Sequence, residues 1–303
     1  MVDPFVIVGG DAAGMSAASK AKREDPDREV IAFEQGDWVS YAACGMPYFV
    51  KGEIERLDDL VQVTAEEFRE ERDIDLRTNH EVVGIDTDAK TVTVADPNGD
   101  TFDQSYGDLL IGTGASAIEP PFPGLDLDGV FTIHDMDEAG AIEQYVSESG
   151  AESAAIVGGG YVGIEMAEAL DARGLSVQLF GESVAGVVED HLTEQGVELH
   201  LDTAVEGFAG DDAVRAVDVE DGASVDADVV IVGVGVAPNT DLAASAGIDV
   251  GPTGAIATDE YGRTNAEDVY AAGDCADATN VVTGDPDHVP LALTANRAGR
   301  AIG

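Results

Sequence analysis

Two copies of one pattern, a short apolar strand that runs into a glycine-rich turn and then a helix, constrain the fold of this 303-residue chain. The first copy is Phe5–Val8 followed by the turn Gly9–Gly14. The second begins its turn 149 positions later and consists of Ala155–Val157 followed by a complete G-x-G-x-x-G motif at Gly158–Gly163. In a βαβ unit of this kind the turn lets the backbone approach a pyrophosphate at the helix N-terminus. The repeat predicts an α/β protein with two Rossmann-like, three-layer nucleotide-binding domains.

The first copy also contains the acidic residue that such a unit needs. After a helix that is predicted to reach Glu24, a second strand, Glu29–Phe33, ends at Glu34, which lies 20 residues beyond Gly14. A carboxylate at this point binds a ribose hydroxyl of a dinucleotide. Asp11 stands where the motif usually has its middle glycine, so this copy taken alone would also suit a generic strand–turn–helix.

The end of the second copy is less regular. Its helix is predicted to reach Arg173, and the next strand, Ser176–Phe180, is followed by Gly181 at the position where an acid would bind the ribose of NAD. Glu182 comes next and could still reach the ribose. Without an acid at position 181 a 2′-phosphate is not repelled, but no arginine nearby would attract it. The choice between NADH and NADPH therefore stays open, with NADH favoured.

The segment Ser40–Tyr48 contains Cys44, one of only two cysteines. Pro47 fits a first helical turn, and we expect Cys44 to open a helix whose positive end favours the thiolate. A buried structural residue is the alternative for an isolated cysteine, but the two nucleotide-binding patterns favour a reactive thiol. Cys275 lies 231 positions further on, so neither a CxxC motif nor a disulfide framework is present. The five histidines show no ligand spacing, and no metal site is predicted.

The net charge is extreme, because 61 Asp and Glu residues outnumber 15 Lys and Arg residues and give −46. At low ionic strength such a charge opposes compaction, whereas in molar salt the Debye length falls to ~3 Å. The sequence therefore predicts adaptation to a very salty cytoplasm and disfavours nucleic acid and anionic membranes as partners. The sequence contains no run of ~18 or more apolar residues, so no segment is predicted to span a membrane. The N-terminus lacks the basic region of a signal peptide.

Further elements are predicted from local patterns. A helix over Thr64–Arg72 begins with a Thr64-x-x-Glu67 capping box. A strand pair is predicted over Val82–Val94, a buried strand at Asp108–Ile111 and a helix over 290–303. The proline-rich stretch Pro120–Gly124 is typical of a linker between domains.

Taken together, these segments resemble the pyridine nucleotide–disulfide oxidoreductases, which are flavoproteins with an FAD domain and an NAD(P)H domain. The stretches Gly9–Ala18 and Ser40–Tyr48 resemble the single-cysteine branch and, within it, the coenzyme A-disulfide reductases. The branch with an active-site C-x4-C is excluded, because Phe49 stands five positions after Cys44. NADH peroxidases and many oxidases have a catalytic histidine where this chain has Ala12, so disulfide reduction ranks above peroxide or oxygen reduction.

The resemblance implies that residues 1–113 and 240–303 form the FAD domain and residues 114–239 the NAD(P)H domain. Electrons would pass from NAD(P)H through FAD and Cys44 to a disulfide, with coenzyme A disulfide as the expected substrate. An NADH oxidase, a polysulfide or persulfide reductase, and an electron-transfer flavoprotein without a redox cysteine are the alternatives. The residues expected to bind FAD are Gly9, Gly10, Ala13, Gly14, Glu34, Gly114, Gly273 and Asp274. Those expected to bind NAD(P)H are Gly158, Gly160, Tyr161, Val162, Gly163, Glu182 and Gly235. Cys275 is expected to be structural.

Coenzyme A is anionic, so a protein of charge −46 needs a local positive site to bind it. Lys20, Lys22 and Arg23 cluster at the end of the first helix, and together with Ser40 they are the predicted substrate-binding residues. Cations at a helix C-terminus are favourable in any case, by ~0.3–1 kcal/mol, so the cluster has a second explanation.

The resemblance also implies a third, C-terminal domain, through which family members form homodimers that complete the active site. This sequence ends at Gly303 with no segment that resembles that domain. We therefore expect this chain to hold FAD but to be a monomer or weak dimer with poor turnover.

Overall fold

The computed structural model describes residues 3–182 and 186–303, which form two compact units. The first comprises residues up to Tyr41 together with Val61–Ser116 and Ala237–Gly303, and the second comprises Ala42–Leu60 and Ala117–Val236. The α-helices are α1 (Ala12–Glu24), α2 (Met46–Lys51), α3 (Ala65–Glu70), α4 (Met136–Glu148), α5 (Tyr161–Ala172), α6 (Gly186–Gln195), α7 (Asp241–Ser245) and α8 (Ala292–Ile302). Short 3-10 turns occupy Ala43–Gly45, Leu57–Leu60 and Glu220–Gly222.

The strands are, in chain order, β1 (Phe5–Val8), β2 (Val30–Phe33), β3 (Asp75–Arg77), β4 (Glu81–Asp86), β5 (Thr91–Ala95), β6 (Thr101–Ser105), β7 (Asp108–Ile111), β8 (Ala115–Ala117), β9 (Val130–Thr132), β10 (Ser153–Val157), β11 (Ser176–Gly181), β12 (Glu198–Leu201), β13 (Val205–Gly210), β14 (Val214–Val219), β15 (Ser224–Asp226), β16 (Val229–Val232), β17 (Val236–Pro238), β18 (Val269–Ala271), β19 (Ala278–Thr279) and β20 (Pro286–Asp287).

The first unit is built on a five-stranded parallel sheet of order β18-β7-β1-β2-β3. Strand β1 is buried along its whole length, as expected of a strand covered on both faces. Phe5 and Ile7 face one core, which includes residues of α1 and α8, while Val6 and Val8 face the other, which includes residues of the antiparallel sheet β4-β5-β6. This alternation follows from the two-residue period of a strand.

The second unit repeats the plan with a parallel sheet of order β12-β11-β10-β16-β9. Ala155 and Val157 of β10 and Val230 and Val232 of β16 pack with residues of the antiparallel sheet β13-β14-β15. The predicted α/β class with two Rossmann-like sheets is confirmed. Within the described ranges, no helix has both the length and the apolar character to cross a bilayer.

Most local predictions are confirmed within one or two residues. Helix α3 begins after Thr64 with the predicted capping box, in which the Thr64 side chain accepts from the Glu67 amide and the Glu67 carboxylate accepts from the Thr64 amide. The predicted strand pair is β4 and β5, joined by a turn at 87–90. The predicted C-terminal helix is α8.

The proline-rich stretch was wrongly interpreted as a linker, because it packs onto the second unit. The Phe122 ring makes an edge-to-face contact with Phe208, with ring centroids 5.9 Å apart. A side chain on Gly124 would overlap the backbone of Phe208, so the chain can lie this close only as glycine, with a φ of +80°. The units also differ from the predicted domains in the segment Ala42–Leu60, which belongs to the second unit.

Candidate flavin, nucleotide and thiol sites

The first glycine turn is as tight as the sequence predicts. A Cβ on Gly9, whose φ is +105°, would overlap the carbonyl oxygen of Gly112, and a Cβ on Gly14 would overlap the carbonyl oxygen of Gly9. The backbone can therefore fold this tightly between β1 and the start of α1 only because neither position has a side chain. The first amides of a helix have no partner within the helix, and such a helix start is the arrangement that binds a phosphate.

The Glu34 carboxylate lies beside this turn, at the carboxyl end of β2. Its Oε2 atom accepts a 2.7 Å hydrogen bond from the amide of Gly10, and its Oε1 atom accepts one of 2.8 Å from the amide of Gly36. A Cβ on Gly10 would stand 2.9 Å from the Glu34 Cβ, so these residues are in close contact. The half-buried carboxylate is thus fixed where a ribose hydroxyl is expected.

Asp11, the departure from the glycine motif, is a perturbed acid. Its pKa is raised to about 6, chiefly by burial and to a smaller extent by the charges of Glu34 and Asp274, while hydrogen bonds from the amides of Ala12 and Tyr41 act in the opposite direction. The Tyr41 amide donates to Oδ1 over 3.2 Å. Asp11 thereby connects the glycine turn to the segment that precedes Cys44 in the sequence.

The remaining predicted flavin residues approach the same edge of the sheet, where parallel strands end. Gly273, just after β18, has a φ of +88°, and a Cβ there would lie 3.2 Å from the Cβ of Ala13. Gly114, just after β7, has a φ of +67°, and no described heavy atom lies within 4 Å of the position that its Cβ would take. The carbonyl of Asp274 is hydrogen-bonded to His288 Nε2 at 2.8 Å.

The second glycine turn repeats the geometry of the first. A Cβ on Gly158, whose φ is +123°, would overlap the carbonyl of Gly233, and a Cβ on Gly163 would overlap the carbonyl of Gly158. Gly160 caps α5 and has open space around its Cβ position. The other residues predicted to bind NAD(P)H are the exposed Tyr161, Glu182 and Gly235 and the half-buried Val162.

The strand end that follows this turn explains the missing acid. A Cβ on Gly181 would lie 2.7 Å from the nitrogen and 3.1 Å from the Cα of Gly159, so the close crossing of β11 and the turn leaves no room for a side chain. Glu182 is the next position that can present a carboxylate. The connection from Glu182 to α6 includes residues 183–185, which lie outside the described residues.

The two cysteines have opposite environments. Cys44 is exposed and lies in the 3-10 turn Ala43–Gly45, so the predicted helix starts two residues later than expected, at Met46, with Pro47 in its first turn. Cys275 is buried, its Sγ donates to the carbonyl of Ala272 at 3.4 Å, and burial raises its pKa. Cys44 is therefore the reachable thiol.

A cleft of about 200 Å³ in the first unit contains three arginines, Arg23, Arg72 and Arg300. It is lined by Ala12, Met15, Ser16, Ser19, Arg23, Ser40, Phe68, Arg72, Asn296 and Arg300. Arg72 is positioned by a 2.9 Å hydrogen bond from Nη1 to Ser19 Oγ and by its guanidinium lying 4.9 Å from the centre of the Phe68 ring. Three cations in one cleft of so acidic a protein indicate an anion site.

The predicted basic cluster is only partly brought to this cleft. Arg23 and Ser40 line it, and Ser40 has a φ of +47°. Lys20 is instead ion-paired with Glu24 one turn along α1. Lys22 is ion-paired with Asp73 at 2.7 Å and also donates to the carbonyl of Pro26.

Comparisons with known proteins agree with this geometry. The family model described as pyridine nucleotide-disulphide oxidoreductase matches residues 3–299. The chain belongs to this family. A CoA-dependent NAD(P)H sulfur oxidoreductase of Pyrococcus abyssi is 41% identical over 98% of this chain and 68% of its own length. A coenzyme A disulfide reductase of Staphylococcus haemolyticus is 31% identical over 98% of this chain and 69% of its own length.

Two solved structures of this family superpose closely. Reduced CoADR-RHD of Bacillus anthracis matches all of this chain with a TM-score of 0.96 at 31% identity. The NAD-dependent persulfide reductase of A. fulgidus matches 99% of it with a TM-score of 0.94 at 36% identity. This chain spans only 56% and 58%, respectively, of those two solved chains.

Membership of this family makes FAD and NAD(P)H the cofactors of the chain. The residues of the first unit fit FAD on three observations: the side-chain-free crossing at Gly9 and Gly14, the fixed Glu34 carboxylate, and the open space at Gly114. Those of the second unit fit NAD(P)H through the open space at Gly160. In the described part of the chain, no three His, Cys, Asp or Glu side chains come together as metal ligands would.

Four further residues of the cleft could bind a ligand but were not among the predicted site residues: Ser16, Arg72, Asn296 and Arg300. Asn296 and Arg300 are four residues apart, on one face of α8, which was a usable signal. Ser16 Oγ donates to Asn296 Oδ1 at 2.5 Å, so α1 and α8 meet at the cleft. That pairing spans 280 positions of the sequence.

Proposed function

We propose that this protein is an NAD(P)H-dependent flavoprotein disulfide reductase that uses Cys44 as its catalytic thiol and coenzyme A disulfide as its substrate. The observation that carries the proposal is the exposure of Cys44, because Cys275 is buried and a disulfide has to reach the attacking sulfur. The names of the relatives, which include a coenzyme A disulfide reductase and a CoA-dependent sulfur oxidoreductase, support the same chemistry.

The arginine-lined cleft supports coenzyme A as the thiol carrier. Coenzyme A bears phosphates, and arginine guanidinium groups bind phosphate oxygens through pairs of charge-assisted hydrogen bonds. Ser40 lines the cleft, and the segment that contributes it leads in four residues to Cys44. We assign the phosphates to Arg23, Arg72 and Arg300 and the adjoining polar groups to Ser16, Ser40 and Asn296.

The chemistry of Cys44 is thiol–disulfide exchange. Its thiolate attacks one sulfur of the disulfide, the S–S bond breaks, and one coenzyme A leaves as a thiolate that takes up a proton. Cys44 is then held in a mixed disulfide with the second coenzyme A. Bound FAD supplies the path by which the electron pair of NAD(P)H reduces that mixed disulfide. The sum is one disulfide, one NAD(P)H and one proton converted into two thiols and NAD(P)⁺.

Other residues bind and orient the two cofactors. The first glycine turn lets the backbone approach the FAD pyrophosphate, and Glu34 accepts a hydrogen bond from a ribose hydroxyl. Asp274 lies near Asp11 at the same edge and is assigned to the hydroxyls of the ribityl chain. The second glycine turn binds the NAD(P)H pyrophosphate at the N-terminus of α5.

The test is a pair of cysteine variants of the FAD-loaded protein. Cys44→Ser is expected to retain FAD and its bleaching by NAD(P)H but to lose at least 100-fold in coenzyme A disulfide reduction. Cys275→Ala is the matched control and should retain most of the activity, since that thiol is buried. Wild-type turnover by Cys44→Ser would refute the proposal.

A persulfide or polysulfide of coenzyme A is the second candidate substrate. The solved A. fulgidus structure is that of a persulfide reductase, and a Pyrococcus horikoshii relative, 40% identical, is a polysulfide/persulfide reductase. Cys44 can attack a sulfane sulfur in the same way as a disulfide sulfur. The ratio of kcat/KM for coenzyme A persulfide to that for coenzyme A disulfide decides between the two.

We place the working protein in a cytoplasm of high salt, which is the setting that its charge of −46 favours. The homodimer implied for the family, and the monomer or weak dimer expected of this chain, stay predictions. Light scattering in molar KCl measures the oligomeric state directly.

A further inference from the structure

Helix α2 begins two residues after Cys44, and contacts within the second unit hold the segment before the helix and the helix end. At its start, the amide of Ala42 donates to the carbonyl of Leu60 at 2.9 Å, and a side chain on Gly45 would overlap Leu60. Met46 and Val50 are buried. Because the 3-10 turn at Ala43–Gly45 runs into α2 without a break, a displacement of α2 displaces Cys44 as well.

The carbonyls of the last turn of α2 are capped by two different devices. Gly52, with a φ of +87°, reverses the chain so that its own amide donates to Phe49 and the amide of Glu53 donates to Tyr48. Among the described residues, no loop amide donates to the carbonyl of Val50 at this Schellman-like turn. Arg173 caps it instead, with Nη1 2.8 Å from the Val50 oxygen.

Arg173 also connects α2 to its two neighbouring helices. It follows the last residue of α5, and its Nη1 atom lies 3.4 Å from Glu143 Oε1 of α4, while Nη2 donates to Ser147 Oγ of α4 at 2.7 Å. The Arg173 side chain is only 21% exposed. A second ion pair joins α2 to α5, between Lys51 and Glu168 at 3.0 Å. We call Lys51, Glu143, Ser147, Glu168 and Arg173 the α2 clamp.

We propose that Arg173 is a positioning residue that fixes the Cys44 segment on α4 and α5 for reaction with the disulfide. This inference rests on the proposed function of Cys44. The clamp uses two of the chain's 15 cations in a protein that has 61 acidic residues. Lysine at position 173 would keep the charge, but its donors sit on a single nitrogen that could not reach the Val50 carbonyl and Ser147 together, whereas the guanidinium has a fork of donor nitrogens.

The experiment compares Arg173→Ala, Arg173→Lys and Arg56→Ala in the FAD-loaded protein. Arg56 is the matched control, since it lies in Ala42–Leu60, the segment that contains α2, but its ion pair is with Asp58, only two residues along the chain. In Arg173→Ala, backbone hydrogen exchange over residues 46–51 should be at least tenfold faster, and alkylation of Cys44 by iodoacetamide at least threefold faster. Coenzyme A disulfide turnover should fall at least tenfold, while reduction of FAD by NADH stays within twofold of wild type.

Arg173→Lys should recover part of each loss, and Arg56→Ala should match the wild type in all measurements. Faster exchange in Arg173→Ala with unchanged Cys44 alkylation and turnover would show that the contact is merely structural and would overturn the proposal. Exchange, alkylation and turnover all equal to those of the wild type would overturn it as well. If the wild type reduced no disulfide, the proposed function would fail, but exchange and alkylation would still decide whether Arg173 positions Cys44.

Discussion

Gly299 of α8 rests directly on Ala13 of α1, so closely that a Cβ on Gly299 would overlap the Ala13 carbonyl oxygen. One turn further along, Gly303 has the same relation to Ala17. Small residues therefore let the two helices cross with their backbones nearly in contact. The crossing matters for the site, because α1 starts at the first glycine turn and both helices contribute to the arginine-lined cleft.

Gly299→Ala is expected to destabilise the protein by ~1–3 kcal/mol, the usual cost of overpacking. Gly140 in α4 provides a matched control, since its Cβ would meet Leu57 at an ordinary 3.5 Å. Gly140→Ala should be neutral or stabilising by up to ~1 kcal/mol, because alanine is the better helix former. Denaturant unfolding in molar KCl measures both. Equal effects of the two substitutions would contradict the crossing.

Asp11→Asn should stabilise the FAD-free protein at neutral pH. The pKa of Asp11 is raised to about 6 in the folded state, so between about pH 4 and pH 6 the folded chain binds the proton more tightly than the unfolded chain does. Stability therefore falls as pH rises through this window, by up to ~3 kcal/mol. The asparagine variant loses this dependence and keeps an acceptor for the Tyr41 amide.

Unfolding at pH 4 and pH 7, at constant salt, tests this prediction. The gain from Asp11→Asn should be near zero at pH 4 and largest at pH 7. Asp88→Asn, which removes one exposed acid, controls for net charge. A gain that is the same at both pH values would argue against the raised pKa.

The parts of the site that the sequence predicted are those fixed by neighbours in the chain. The close approach of Gly9, Gly14 and Glu34 could be predicted because a strand, its turn and the next strand end are set by local spacing and by the two-residue period of burial. The capping box at Thr64 is likewise local, since its two partners are three residues apart.

The parts that it missed depend on contacts between distant segments. The cleft needs α1, α3 and α8 to meet, and no local pattern states that Arg300 will lie near Arg72. Lys22 was assigned to substrate, yet its ion-pair partner, Asp73, is 51 positions away. The role of Arg173 is invisible for the same reason, because the carbonyl that it caps is 123 positions earlier.

Arg300→Ala should raise the KM for coenzyme A disulfide at least tenfold and leave that for a small neutral disulfide within twofold. The reason is that the small substrate has no phosphates for the cleft to bind. Lys20→Ala removes the same charge from a residue that pairs with Glu24, and it should change neither value by more than threefold. Steady-state kinetics in molar KCl measures all four values. Parallel losses for both disulfides with Arg300→Ala would place Arg300 outside the phosphate site.

Raising KCl from about 0.2 M to about 2 M should stabilise the protein by several degrees in Tm. Screening of a −46 charge weakens the self-repulsion of the folded state as the Debye length falls towards ~3 Å. Calorimetry in KCl and in sucrose of matched viscosity separates screening from general solvent effects. A Tm that is independent of salt would refute the predicted adaptation.

Placing an acid at the strand end, Gly181→Asp, should raise the KM for NADH sharply rather than lower it. In many NAD enzymes an acid at this point binds the ribose, but here the Cβ would lie 2.7 Å from the Gly159 nitrogen and would push the glycine turn away from the pyrophosphate.

Gly181→Ala should therefore raise the KM for NADH nearly as much as Gly181→Asp, because the clash and not the charge is decisive. Glu182→Gln, which does not disturb the backbone, should raise the KM for NADH by about threefold to tenfold, because it replaces a charged acceptor by a neutral one at a cost of ~1 kcal/mol. FAD content should be unchanged in all three variants, since the substitutions lie in the second unit. Tighter NADH binding by Gly181→Asp would show that the turn can yield and that position 181 is the ribose site after all.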